Sequence, residues 1–238
     1  MKMTELAPAK LNLTLEVGEK SSDGYHKVQS VMTCAALYDE ITLESGTGGD
    51  ITMTCDCSGL PCDETNLCLR AARLFFKKTG IACDGLHISL KKRIPMQAGL
   101  GGGSADAAAV LVGLDMLYRT GLSKTRMEQI ALKLGADVPY CIMRGTALSE
   151  GIGEILTPLP PMPQCRGEQL LKLPKLPLCW FVICKPDFSF STAEMYEKLD
   201  EKKPTFAIDS LGLIKALEYQ DMLEISDRLG NCFEAVLE

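Results

Sequence analysis

The stretch Pro95-Met96-Gln97-Ala98-Gly99-Leu100-Gly101-Gly102-Gly103-Ser104-Ala105-Asp106 decides how this chain reads. Upstream, Leu86, Ile88 and Leu90 alternate with His87 and Ser89 as a half-buried strand does, and Pro95 ends that strand. Downstream, Ala107, Val110, Leu111, Leu114, Leu117 and Tyr118 recur at helical spacing, with Gly121 placed as a C-terminal stop. A glycine run between strand and helix gathers side-chain-free amides and the positive end of a helix dipole at one point, which makes a seat for an anion. No Lys-Ser or Lys-Thr follows the glycines, so the loop is not a Walker A motif. It is not a dinucleotide fingerprint either, because Ser104 stands where the last glycine belongs. Ser104 is placed to cap the helix or to help position a phosphate.

Working toward the N-terminus, Leu11, Leu13, Leu15 and Val17 alternate with Lys10, Asn12, Thr14 and Glu16, a strand with Lys10 on its polar face. Asp23-Gly24 marks a turn that presents Tyr25 and His26 at a loop edge, where a ring and an imidazole can stack on or hydrogen-bond a planar base. More strand follows from Val31 to Leu43, then a turn from Gly46 to Asp50. From Asn66 the spacing becomes helical, with Asp63 and Thr65 offering N-cap oxygens and Gly80 ending the run. His87 reads as a structural or surface residue.

Toward the C-terminus, Ser123 caps a third helix that runs to Leu134, Gly135 offers a left-handed stop, and Asp137-Val138-Pro139 turns the chain out. Taken alone, Asp137 is a turn residue or a cap and Lys10 a solvated lysine; spacing does not pair them. Prolines crowd the stretch after Leu156 and mark a boundary there. Beyond it lie a strand from Cys179 to Cys184 and helical patterns over Ala193–Leu199, Ile208–Leu217 and Met222–Leu229. The fold class is α+β in two domains, 1–156 and 157–238, of which the C-terminal one reads as incomplete.

Composition narrows the function classes. Apolar residues make up 46% of the 238-residue chain and charged residues 24%, which is that of a folded globular protein. A net charge of −6 gives no general attraction to nucleic acid or to an anionic membrane, although Lys91-Lys92-Arg93 is a local basic patch open to a phosphorylated ligand. No signal-peptide pattern or membrane-length apolar run stands out, so the chain is read as cytoplasmic. Eleven scattered cysteines read as reduced thiols. Cys55, Cys57, Cys62 and Cys68 lack the paired spacing of a zinc site, and no protein-bound metal is expected.

Four segments in this order resemble the GHMP kinase family: Ala7-Pro-Ala-Lys-Leu-Asn12, Asp23-Gly-Tyr-His26, the glycine-serine loop, and Gly135-Ala-Asp-Val-Pro139 running on to Gly145-Thr-Ala-Leu-Ser-Glu-Gly151. The resemblance implies a ribosomal-S5-like N-terminal α/β domain that binds ATP and a smaller C-terminal α/β domain, with both substrates in the cleft between them. By this likeness Asp137 is the base that takes a proton from the substrate's hydroxyl, and Lys10 orients and supports it. Residues 95–106 seat the phosphates and Asn66 lies near the adenine. Magnesium accompanies ATP rather than occupying a protein cage. The Asp-Gly-Tyr-His and Ala-Asp-Val-Pro segments resemble the family branch that phosphorylates the 2-hydroxyl of a cytidine-diphosphate-linked methylerythritol in non-mevalonate isoprenoid synthesis. In that branch Asn12, Tyr25 and His26 line the cytidine side and Tyr196 sandwiches the cytosine.

The loop alone fits kinases of homoserine, mevalonate or a sugar equally well, and a nucleotide-binding chain without turnover is the other reading. The stretch Gln164 to Lys175 is longer than the family's usual link, and the chain stops at Glu238 where the family continues into a third glycine-rich motif, so weak or absent turnover is expected of these residues. A monomer or weak homodimer is expected.

Overall fold

The computed structural model describes residues 1–20, 24–159, 179–185, 187, 191–202 and 207–237. In chain order the elements are β1 (Lys2–Asn12), β2 (Thr14–Lys20), β3 (His26–Ser45), β4 (Ile51–Cys55), α1 (Leu67–Thr79), β5 (Leu86–Lys91), α2 (Gly102–Tyr118), α3 (Lys124–Ala131), α4 (Val138–Met143), β6 (Ala147–Glu150), β7 (Ile155–Pro158), α5 (Thr192–Lys202), α6 (Ser210–Tyr219), α7 (Met222–Asp227) and β8 (Gly230–Asn231). They form two compact units that interleave along the chain: Met1–Lys10, Ala36–Met96 and Leu100–Met143 in the first, Leu11–Ala35, Gln97–Gly99 and Arg144–Glu238 in the second. No helix among the described residues is long and apolar enough to cross a membrane.

In the first unit β5 runs antiparallel to the later part of β3 and parallel to β4. The register sets Ile41 opposite Leu90 and Leu43 opposite Ile88, and all four are buried, so the two-residue alternation of both strands lands on one core face. Against that core lies α2, whose Ala107, Val110, Leu111 and Leu114 are fully shielded. A Cβ on Gly113 would come within 2.6 Å of Leu43 Cδ1, so only a glycine lets this helix lie so close to β3. Helix α1 packs on α2, and Phe76 meets Tyr118 edge to face at 5.2 Å between ring centroids.

In the second unit β2 pairs antiparallel with the start of β3 and parallel with β8, while β3 also pairs with β6, which forms a hairpin with β7. Leu13, Val31, Leu213, Ala216, Leu217 and Ile225 make one buried cluster there. Leu15, Met195, Leu199, Cys232 and Val236 make another.

The α+β class, the turn at Gly80 and the cap at Ser123 are as expected: Gly80 ends α1 at φ 74 and donates to Phe76 O, and Ser123 accepts from Arg126 N–H. Several details differ. The N-cap of α1 is Asn66, because Asp63 is already engaged with Thr65. Helix α2 ends on Arg119, itself left-handed at φ 52, two residues before Gly121. Gly135 does not adopt a left-handed stop. The segment 137–139 leads into α4 instead of simply turning the chain, since a proline in a helix's first turn removes only an N–H that has no helical partner. Residues 179–184 carry no strand, and Trp180 is 85% exposed: an apolar run is not by itself enough to make a strand. Asp23, most of the proline-rich link and the whole of Gln164–Lys175 lie outside the described residues.

Candidate active site

Lys10 is not the solvated lysine its strand position suggests. It is buried near the end of β1, and its Nζ donates to Asp137 Oδ2 at 2.8 Å. Asp137 stands just before α4 with its side chain 34% exposed, so the carboxylate is held on one side and reachable on the other. The Lys10 main-chain N–H donates to Leu100 O at 2.8 Å, which fastens the glycine loop to the same strand. Gly101, at φ 64, would bring a Cβ within 3.1 Å of Lys10 Cβ, so both its backbone angle and its contact demand glycine. The ammonium, the carboxylate and the start of α2 therefore meet within the first unit.

Residues 95–101 form the loop proper, and Gln97, Gly99 and Gly101 all take positive φ. Gly102, Gly103 and Ser104 begin α2, so Ser104 is inside the helix rather than its cap; Gly101 caps the helix with no side-chain hydrogen bond. The first-turn amides are thus left for another acceptor, with the positive end of the helix dipole behind them. Met96 is partly exposed, whereas Ala105 and Asp106 point into the protein. Asn66 Oδ1 accepts from Cys68 N–H at 2.9 Å and its Nδ2 donates to Pro61 O at 2.7 Å. Its neighbour Leu67 lies against Gly103, where Leu67 Cδ1 would be 3.6 Å from an added Cβ, so Asn66 flanks the same helix start.

Beneath this seat is a cluster that sequence reading missed. Lys92 Nζ donates to Asp39 Oδ2 and, at 2.8 Å, to Asp106 Oδ2, all three side chains being buried. Asp39 Oδ1 also accepts the Ile94 N–H at 2.9 Å and the Arg93 N–H, which pins the strand exit that leads into the loop. Burial raises the Asp106 pKa to about 7, with the facing Asp39 carboxylate adding to it and Lys92 opposing it. Burial works against the Lys92 ammonium, yet the two carboxylates outweigh it and raise its pKa. The basic run is accordingly no free patch: Lys91 pairs with Glu40 and Arg93 with Asp56.

In the second unit His26 and Tyr196 stack with centroids 5.1 Å apart, and Phe233 meets Tyr196 edge-on at 5.2 Å. His26 Nδ1 lies 2.9 Å from Gly18 O and Nε2 lies 3.3 Å from Asp200 Oδ1, so both ring nitrogens face acceptors. Lys20 also bonds Asp200, whose pKa is lowered first by that contact. Tyr25 is 60% exposed, and Asn12 Oδ1 accepts from Ser30 Oγ at 3.3 Å. Asp200 and Phe233 are the partners that sequence reading did not foresee.

A family model described as GHMP kinases N terminal domain matches residues 66–145, which include the loop and Asp137. The class defined by this fold and loop is thus the GHMP kinases. Over 232 residues the chain is 45% identical to the 4-diphosphocytidyl-2-C-methyl-D-erythritol kinase of Lachnoclostridium phytofermentans, covering 97% of this chain and 74% of that one. To the enzyme of the same name from Alkaliphilus metalliredigens it is 40% identical, covering 100% and 77%. A crystal structure of 4-(cytidine 5'-diphospho)-2C-methyl-D-erythritol kinase superposes with a TM-score of 0.72 at 29% identity over 98% of this chain and 76% of that one. The chain belongs to the 4-diphosphocytidyl-2-C-methyl-D-erythritol kinase family. A homoserine kinase from Cytophaga hutchinsonii, TM-score 0.64 at 19% identity over 97% and 71%, shares the fold. Family membership makes the chain a small-molecule kinase with ATP as one substrate.

Proposed function

We propose that the protein transfers the γ-phosphoryl group of ATP, supplied with Mg²⁺ as the substrate complex, to the 2-hydroxyl of 4-diphosphocytidyl-2-C-methyl-D-erythritol. The observation that carries the reading is the buried Lys10 ammonium 2.8 Å from a half-open Asp137 carboxylate beside the start of α2. Asp137 takes the hydroxyl proton, the substrate oxygen attacks the γ-phosphorus, and the bond to the β-phosphate oxygen breaks to release ADP. Lys10, bonded to Asp137 Oδ2, holds that carboxyl aimed. The bare amides of residues 102–104 receive phosphate oxygens, and most of the acceleration comes from this positioning and neutralisation.

Asn66 is assigned to the adenine side, and Pro95 to Asp106 to the phosphate-binding wall, Asp106 from behind it. Asn12, Tyr25, His26 and Tyr196 are assigned to the cytidine diphosphate, the exposed Tyr25 ring and the His26–Tyr196 pair supplying aromatic surface. Residues 1–156 are taken as the nucleotide-binding domain and 157–238 as the C-terminal one, in the cytoplasm, as a monomer or weak dimer.

The test is a coupled kinase assay with ATP and, in turn, 4-diphosphocytidyl-2-C-methyl-D-erythritol, homoserine and mevalonate. Turnover is expected with the cytidine-bearing alcohol alone. Preference for an alcohol without cytidine would overturn the assignment.

A further inference from the structure

Two carboxylates share one ammonium directly behind the phosphate seat. Lys92 Nζ lies 3.2 Å from the point a Cβ would occupy on Gly102, the first residue of α2, and it is clamped by Asp39 and Asp106. One positive charge against two negative ones leaves the cluster with a surplus negative charge when both acids are ionised. Asp106 Oδ1 is buried and finds no donor among the described residues. An acid oxygen placed this way is satisfied by a proton, which would let the Asp106 carboxyl donate to its neighbour.

The titratable groups facing Asp106 are Asp39 from β3, Lys92 after β5 and the Cys68 thiol from α1, with Cys55 of β4 beyond it. Burial pushes Cys68 well up, so that thiol carries no charge near neutrality. The balance is therefore set by the two acids and the one lysine. Resting on the reading of the loop as a triphosphate seat, we propose that Asp39, Lys92 and Asp106 form a charge-balancing support that takes up a proton from solvent when a nucleoside triphosphate docks at the start of α2.

The physical reason is linkage. A polyanion arriving beside the helix start is repelled by a net negative cluster and tolerated by a neutral one, so binding favours the protonated form and raises its population. The proton goes to a carboxylate oxygen of Asp106, and no bond to the nucleotide forms or breaks. Asp106 is in this sense a positioning residue, acting through Lys92 and the start of α2.

The experiment is isothermal titration of the folded protein with the magnesium complex of a non-hydrolysable ATP analogue, in buffers of low and high ionisation enthalpy. Wild type should take up a substantial fraction of a proton more than Asp106→Asn, and its affinity should weaken roughly five- to tenfold between about pH 6.5 and 8.5. Asp39→Asn keeps the oxygen that accepts Ile94 N–H and removes the opposing charge, so it should abolish the extra uptake as well. Equal proton uptake in wild type and a folded variant, or a wild-type affinity flat across that range, would overturn the proposal. No binding of the analogue by wild type would instead overturn the phosphate seat itself, and this proposal with it.

Discussion

Lys10 Nζ stands 2.8 Å from Asp137 Oδ2, although 127 positions separate the two residues. The strand end and the turn before α4 have been brought together around a single ion pair. With the lysine buried, the pair is sheltered on the lysine's side and open on the acid's, which leaves the Asp137 carboxyl within reach of a substrate hydroxyl.

Gly101 is the loop position with least tolerance. At φ 64 and 3.1 Å from Lys10 Cβ, a valine there meets both backbone strain and a clash. Gly101→Val should raise KM for ATP by about tenfold or more, corresponding to about 1–3 kcal/mol of strain, while Gly48→Ala, in open space, leaves kinetics unchanged. Steady-state kinetics at varied ATP checks this.

Asp106 makes folding stability depend on pH in a stated direction. Its pKa rises from 3.8 in the unfolded chain to about 7 in the folded one, so the folded state holds the proton more tightly. The contribution is fully present below the unfolded value and is lost as pH climbs through the folded value. Between about pH 4 and 7 wild type should lose on the order of 3 kcal/mol relative to Asp106→Asn, read by urea unfolding across that range. A constant difference between the two proteins would contradict the buried-acid account.

Gly113 tests the core rather than the chemistry. Its added Cβ would sit 2.6 Å from Leu43 Cδ1. Gly113→Val should destabilise by about 1–3 kcal/mol through overpacking, with kcat per folded molecule retained. Thermal unfolding and an active-site-normalised assay separate the two effects.

His26 and Tyr196 divide from the nucleotide site by which constant they move. Truncating either ring to alanine should raise KM for the cytidine-bearing substrate by about tenfold, near the 1.4 kcal/mol expected of a lost aromatic contact, and leave KM for ATP unchanged. Varying each substrate in turn checks this.

Signals carried by neighbouring residues are legible in the chain itself. The strand Leu86–Lys91, the glycine loop and the body of α2 follow from alternation, punctuation and helical spacing, and Gly80 and Ser123 punctuate their helices as read. What escapes such reading depends on distant partners. Lys10 alternates like a surface residue yet is buried against Asp137, and Asp39 within β3 with Lys92 just after β5 resembles ordinary exposed charge until the fold closes over both. The short helix α4 is hidden by Pro139, and the apolar run at 179–184 suggests a strand because apolar composition alone does not decide between strand and irregular chain.

That Asp137 is the base is tested most directly by Asp137→Asn, because the amide keeps the shape and the contact region while removing the acceptor for the proton. Measured with ATP and 4-diphosphocytidyl-2-C-methyl-D-erythritol, kcat should fall by about 10²–10⁴-fold with both KM values within about threefold of wild type. A variant that turns over at the wild-type rate would contradict the claim.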